Sequence, residues 1–190
     1  MQKVILDITM SLDGYIAGRD ISPQTPLGVR GERLHDWLFK GKTPADEKIL
    51  NEMVSSSGSV ITGGRTYTTA IPDAWGSATP FEVPAFVLIR EVPELAVPGF
   101  TYITTGPEDA LKEARKAAAD KNVWIMGGAD TIRQYLSKGL ADELHIHIAH
   151  VLLNGGTRLF ETISEEHIEL EKYNLIESPA ATHIYFRVLK

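Results

Sequence analysis

Two stretches of the chain run from β-forming residues into a pair of glycines and on into a helix-opening sequence. They are Val60-Ile61-Thr62-Gly63-Gly64-Arg65-Thr66 and Trp124-Ile125-Met126-Gly127-Gly128-Ala129-Asp130-Thr131. Glycine at such a junction lets the backbone come close to a ligand, and the free N–H groups of the helix start favour phosphate. In an open α/β sheet, ligands of this kind sit at the carboxyl ends of the strands. Two junctions could grip the two ends of a dinucleotide, with Arg65 and Thr66 opening one of the helices. Either pair alone reads rather as a tight turn closing a helix onto a sheet, and the two together as a ligand site. Neither ends in Gly-Lys-Ser/Thr nor reads Gly-x-Gly-x-x-Gly, so this is neither a P-loop nor the usual Rossmann fingerprint.

A second constellation is His145 and His147, which alternate with Leu144, Ile146 and Ile148, with His150 close by. Paired histidines can hold zinc, but a closed site needs further ligands, and none can be nominated. The expectation is exposed histidines on a strand near a sheet edge, with no metal.

These residues need a scaffold. Val4 to Met10 is β-rich with little polar content and reads as a central strand. Residues 11–31 read as one long loop, of a length that is usually functional. Asp36 to Phe39 suggests a short helix, and Thr43-Pro44 caps a longer one with the stripe Ile49, Leu50, Met53. Strands follow at Ser59–Thr62, Ala85–Ile89, Thr101–Thr104 and Val123–Met126, with a proline-rich loop over 71–84. Helices are expected over Pro107–Lys121, with its acids before its bases, and over Ala129–Ser137. After Gly139 the pattern alternates at 144–148, around Ile168-Glu169-Leu170, and at 184–188. Alternating β and α units imply a parallel sheet with helices on its faces, and the last strands imply an antiparallel hairpin. Trp37, Trp75 and Trp124 read as packing, Trp37 being the one to watch because its helix follows the long loop.

The whole is expected to be one domain over residues 1–190. Its 43% hydrophobic and 23% charged content is ordinary for a globular protein. A net charge of −6 without a dense basic cluster argues against nucleic acid as a partner. No apolar run approaches the ~18 residues of a membrane span. The chain has no cysteine, and an acid at Asp7 interrupts any signal-peptide core. A cytoplasmic location is therefore expected.

Met10-Ser11-Leu12-Asp13-Gly14-Tyr15-Ile16-Ala17-Gly18 and Val60 to Tyr67 resemble the dihydrofolate reductase superfamily. Val123 to Gly128, Gly139 to His147 and Val151 to Phe160 resemble one branch of it. That branch is the C-terminal reductase domain of the bifunctional riboflavin-biosynthesis deaminase–reductase, with its stand-alone relatives. The resemblance implies a three-layer α/β fold around a mostly parallel eight-stranded sheet with an antiparallel C-terminal hairpin. It implies an oxidoreductase that uses NADPH, and a homodimer formed through the C-terminal strands. Carried over by position, Thr9 and Ile16 flank the nicotinamide, while Gly64, Arg65 and Thr66 beside Gly63 meet phosphates. Gly127, Gly128, Asp130, Thr131 and Ile132 take the pyrophosphate and nicotinamide side, across a Gly-Gly peptide that in this family is often cis. Arg90 is placed for a 2′-phosphate, a task that suits guanidinium, although Glu91 beside it weakens that site.

The superfamily's folate enzymes carry one acid on the helix before the second strand. Counting back from Val60 puts Glu47 or Asp46 there, where a buried carboxyl of raised pKa acts as a general acid. The alternative is two acids decorating a first helical turn. The loop Pro80-Phe81-Glu82-Val83-Pro84 lacks the arginine that clamps a folate tail, and Pro26 to Arg30 replaces the Trp-x-Leu-Pro segment. Folate reduction is thus the runner-up to reduction of a small heterocycle of the 5-amino-6-(5-phosphoribosylamino)uracil type. Arg30, Arg33 and Lys42 are the cations nearest in sequence for a substrate phosphate. The deaminase's zinc site needs cysteines, and none is present. Asn154 stands where the family's Leu-Gly-x-Gly loop has glycine. A reading of another class is a nucleotide-binding module without chemistry, which would show a cleft filled by side chains from residues 19–45.

Overall fold

The first strand, β1 (Val4–Ser11), is followed by a short β2 (Tyr15–Ala17), then β3 (Ser57–Gly63), β4 (Ala85–Leu88), β5 (Phe100–Ile103) and β6 (Asn122–Ile125). The C-terminal part adds β7 (Glu143–Ala149), β8 (Thr157–Arg158), β9 (Leu170–Glu177) and β10 (Ala181–Val188). Helices α1 (Asp36–Phe39), α2 (Pro44–Ser56), α3 (Gly64–Ala70), α4 (Pro107–Ala118) and α5 (Ala129–Ser137) lie between them. The structure is a computed structural model that describes residues 2–71, 74–94, 96–161, 163 and 167–190.

Eight strands form one sheet in the order β5-β4-β3-β6-β1-β7-β10-β9. From β5 to β7 every pairing is parallel, and β10 and β9 close the edge antiparallel. β1 is central, as its apolar run requires of a strand covered on both faces. One face carries Val4, Leu6, Ile61, Phe86, Val123, Ile125, Leu144 and Ile146 against α4 and α5. The opposite face turns Val60, Ala85 and Val87 toward Tyr67 of α3, while Trp37 and Ile49 of α1 and α2 pack on Ala181. The result is three layers, helices on both sides of the sheet.

Local sequence accounts for the helices. In α2, Thr43 accepts from the Asp46 amide and the Asp46 carboxylate accepts from the Thr43 amide at 2.8 Å, a capping box with Pro44 at the first position. Helix α4 buries Ala110, Leu111, Ala114 and Ala118, and burying one leucine of this kind contributes ~1.5–3 kcal/mol. The helix ends at Ala118 rather than Lys121. Ala119 takes φ 54, and the Lys121 amide returns to the Ala118 carbonyl, which turns the chain into β6 beside Ser57.

Two further expectations change. The long loop 11–31 contains β2, which pairs antiparallel with β8, a partner 140 positions downstream that no local pattern reveals. The stretch around Ile168 enters β9 only at Leu170, and β9 then runs exposed to Glu177 without apolar alternation. In the loop 71–84, Pro72 and Asp73 lie outside the described residues. Among the described residues no helix is long and apolar enough to cross a membrane.

The register of the central strands sets which polar side chains meet. Thr9 pairs with His147 and His147 with His183, while Asp7 pairs with His145 and His145 with Tyr185. Residues far apart in sequence thus form two rows across β1, β7 and β10.

Candidate functional site

A cleft of about 1210 Å³ opens at the carboxyl ends of β1, β3, β4 and β6. Gly63, Gly64 and Gly128 of the two junctions line it, and the Gly63 amide donates to the Gly127 carbonyl at 2.7 Å. A β-carbon on Gly63 would strike Thr131 Oγ1, and one on Gly64 would come within 2.7 Å of Ile89. Neither α3 nor α5 has a side-chain cap, so their first N–H groups stay available at the cleft. The Gly127–Gly128 peptide is cis.

Of the residues nominated for a cofactor, Thr9, Ile16, Gly63, Gly64, Arg65, Thr66, Arg90, Gly128, Asp130 and Thr131 line this one cleft. Ile132 does not: it is fully buried in the core under α5, its amide bonded back to Gly128. Gly127 contributes its carbonyl to Gly63 rather than a surface to the cleft. Arg65 and Arg90 enter the cleft with no ion-pair partner among the described residues, whereas Arg133 is tied to Glu161 at 2.6 Å.

The other end of the cleft lies between β1, α1 and α2. Asp7, His35, Trp37, Leu50, Met53 and His147 line it. Trp37 is buried, donates from Nε1 to Thr9 Oγ1 at 3.2 Å, and packs on the His147 and His183 rings at 4.7 and 4.9 Å.

Neither acid of α2 faces the cleft. Glu47 is 57% exposed and sits 3.5 Å from Lys42. Asp46 is fully buried, but its pKa is not raised. Burial pushes it up, while hydrogen bonds from Thr43, Ser178 and His183 outweigh burial and hold it below the usual carboxylate range. It is an ionised anchor, and the general-acid role expected of a raised carboxyl does not fit it. Its signal in the sequence was the capping pattern Thr43-x-x-Asp46, and the histidine it meets lies 137 residues away.

The histidines are also elsewhere than expected. His145 and His147 are 6% and 2% exposed, because β7 lies inside the sheet between β1 and β10. His147 Nε2 lies 3.0 Å from Asp7 Oδ2, and His147 Nδ1 lies 2.7 Å from His183 Nδ1. His183 Nε2 lies 3.0 Å from Asp46 Oδ1. His145 Nε2 meets Glu143 Oε2 and the Tyr173 hydroxyl, each at 3.0 Å. Burial raises the Glu143 carboxyl, yet hydrogen bonds from His145, Lys3 and Tyr173 bring it down to about 2. Burial, with the charge of His147, lowers both His35 and His183 to about 4. Asp7 is raised by burial but lowered more by His147 and the neighbouring imidazoles, so it is a carboxylate. Among the described residues no three metal-ligating side chains converge.

Asp7 and His183 were not nominated from sequence. Asp7 had a signal, as the lone acid in an apolar strand; His183 had none beyond its place in an alternating run. Of the three cations considered for a substrate phosphate, Arg33 is bound to Asp36 at 2.6 Å and Lys42 to Glu47, and none of Arg30, Arg33 and Lys42 lines the cleft. Asn154 takes φ 56, its amide and that of Leu153 held by the Asp13 carboxylate. The loop keeps its turn despite the missing glycine, since asparagine tolerates left-handed backbone.

Residues 2–179 match the family model described as the RibD C-terminal domain. The uncharacterized protein YwjB of Bacillus subtilis (strain 168) is 25% identical over 166 residues, which cover 87% of this chain and 86% of YwjB. A protein of Shewanella sp. PV-4, described as a candidate riboflavin biosynthesis protein, superposes with a TM-score of 0.75 at 21% identity over all of both chains. The diaminohydroxyphosphoribosylaminopyrimidine deaminase/5-amino-6-(5-phosphoribosylamino)uracil reductase of Thermotoga maritima gives 0.66 at 14% identity, covering 99% of this chain and 57% of that one. At such identities the structural likeness establishes the fold.

Proposed function

This chain belongs to the RibD C-terminal domain family, and on that premise we propose that it is an NADPH-dependent reductase acting on a small heterocyclic substrate. The observation that carries the reading is the pair of Gly-Gly junctions joined at Gly63 and Gly127, with two uncommitted guanidinium groups beside them.

The residues suit the cofactor. The uncapped N–H groups of α5 and the close backbone of Gly63, Gly64 and Gly128 would hold the pyrophosphate. Arg65 and Arg90 would meet the 2′-phosphate, which favours NADPH over NADH. Thr9 and Ile16 would border the nicotinamide, which supplies hydride when bound.

At the substrate end no lysine or arginine lines the cleft among the described residues. An unphosphorylated heterocycle suits that end better than the phosphoribosyl compound of the deaminase/reductase. The open cleft also favours a reductase over a nucleotide-binding module whose site is filled. A folate with its glutamate tail finds no clamp, since the segment 80–84 carries Glu82 and no arginine. A single domain, a homodimer and a cytoplasmic location complete the reading. The dimer is supported by β9, an exposed edge strand with Leu170, Tyr173 and Leu175 at the surface.

Titration of the purified protein with NADPH and NADH, followed by nicotinamide fluorescence, tests this function. Micromolar or tighter binding of NADPH with weaker NADH is expected. Binding of neither would overturn the reductase reading.

A further inference from the structure

Asp46, His183, His147 and Asp7 stand in a line across β10, β7 and β1, linked by contacts of 3.0, 2.7 and 3.0 Å. One end is sealed under α2, where Asp46 and His183 are both 0% exposed. The other end, His147 with Asp7, opens on the substrate end of the cleft.

The hydrogen bonds fix the proton count. Ionised carboxylates only accept, so Nε2 of both histidines must donate. The contact between the two Nδ1 atoms needs a proton on one of them, since two lone pairs at 2.7 Å would repel. Three protons therefore occupy four ring nitrogens, and the histidine pair carries one positive charge between two carboxylates. The pair shares that charge across the 2.7 Å Nδ1 contact, and its His147 side faces the cleft beside Asp7.

We propose that this line is a proton relay: Asp7 delivers a proton to the substrate and draws it from His147, while His183 and Asp46 are positioning residues that keep the extra proton on the histidine pair. The inference rests on the reductase reading above. In reducing a ring carbon–nitrogen double bond, hydride from NADPH adds to carbon and the π electron pair moves to nitrogen. His147 Nε2 first passes its proton to the Asp7 carboxylate across the 3.0 Å contact, and the carboxyl so formed gives that proton to the substrate nitrogen, which returns Asp7 to its ionised state. NADPH is oxidised to NADP⁺, the relay is left one proton short, and the proton returns from solvent through the cleft after product leaves.

The groups around His147 are consistent with one stored charge. Asp7 faces it from β1, His35 from the 3-10 turn before α1, and His183 and Tyr185 from β10. His145 lies two positions along β7 with Nδ1 3.8 Å from Asp7 Oδ2, and Asp46 of α2 lies behind His183. His35 is held neutral, so it does not compete for the proton.

The first test needs no substrate. In protein labelled with ¹⁵N-histidine and assigned with His147→Gln and His183→Gln, three of the four nitrogens should carry protons at pH 7. Two neutral rings would overturn the relay. Asp46→Asn should lower the pH at which the third proton is lost by at least one unit. Thr43→Val breaks the same helix cap but leaves Asp46 Oδ1 on His183, and should leave that titration in place. Equal shifts in both variants would reduce Asp46 to a cap.

The second test is NADPH oxidation with 7,8-dihydropterin, a cyclic imine. Asp46→Asn should lower kcat about tenfold at unchanged KM, and the pH above which kcat falls should drop with the NMR titration. A kcat indifferent to Asp46→Asn, or no turnover by protein that binds NADPH, would overturn proton delivery. Failure to bind NADPH would instead remove the reductase reading and leave the proton count standing.

Discussion

The Gly63 amide and the Gly127 carbonyl, 2.7 Å apart, join two motifs that lie 64 positions apart in the chain into a single cradle. Thr131 Oγ1 fills the space against Gly63, so the cradle has no room for a β-carbon there.

Gly63→Ala should therefore push the end of β3 away from α5. Overpacking of this kind costs ~1–3 kcal/mol, a drop in Tm of roughly 2–4 °C per kcal/mol at this chain length. The larger expected effect is a rise in the NADPH Kd of tenfold or more, read by fluorescence titration beside a thermal melt. Unchanged affinity would mean the cradle does not grip the cofactor.

Arg90→Ala should weaken NADPH and spare NADH. A charge-assisted hydrogen bond is worth ~1.5–3 kcal/mol, so a loss of about 10- to 100-fold in NADPH affinity is expected. Equal losses for the two cofactors would place Arg90 at some other part of the nucleotide.

Glu143 should set much of the acid sensitivity. Its carboxyl falls from the ordinary 4.5 to about 2 in the fold. A lowered carboxylate gives stability that is complete above 4.5 and is lost as pH falls toward 2, because the unfolded chain binds the proton first. With half-exposed Lys3 screened by solvent, the contribution is on the order of 2 kcal/mol. Urea denaturation of Glu143→Gln should show lower stability at pH 7 and a flatter decline between pH 5 and 2.5 than the parent. Parallel curves would refute the assignment.

Leu175 is 44% exposed on the edge strand β9. If the homodimer uses this edge, Leu175→Lys should convert it to monomer in light scattering while leaving Tm and NADPH binding within error. A parent protein that is monomeric at micromolar concentration would remove the dimer from the reading.

Much of the scaffold was legible because it is written locally. The apolar run of β1, the Thr43-Pro44 cap of α2, the amphipathic face of α4 and the glycine pairs each carry their meaning within a few residues. The C-terminal end of α4 and the pairing of β2 with β8 were not, since both answer to partners elsewhere in the chain.

The site divides the same way. The cradle proposed for the cofactor is built from glycines, helix starts and arginines that are visible in sequence, while Ile132 lies in the core because its side of α5 faces the sheet. The polar line did not follow. Asp46 looked like an exposed or raised acid, and His147 like a surface histidine, because strand order is invisible to periodicity. By itself the sequence determined the elements, the glycine junctions and the family resemblance. The tertiary structure alone decided that β7 lies inside the sheet and that Thr9, His147 and His183 share one row. Register between strands far apart in the chain sets which side chains meet in a low-dielectric interior, and there a proton has few places to sit.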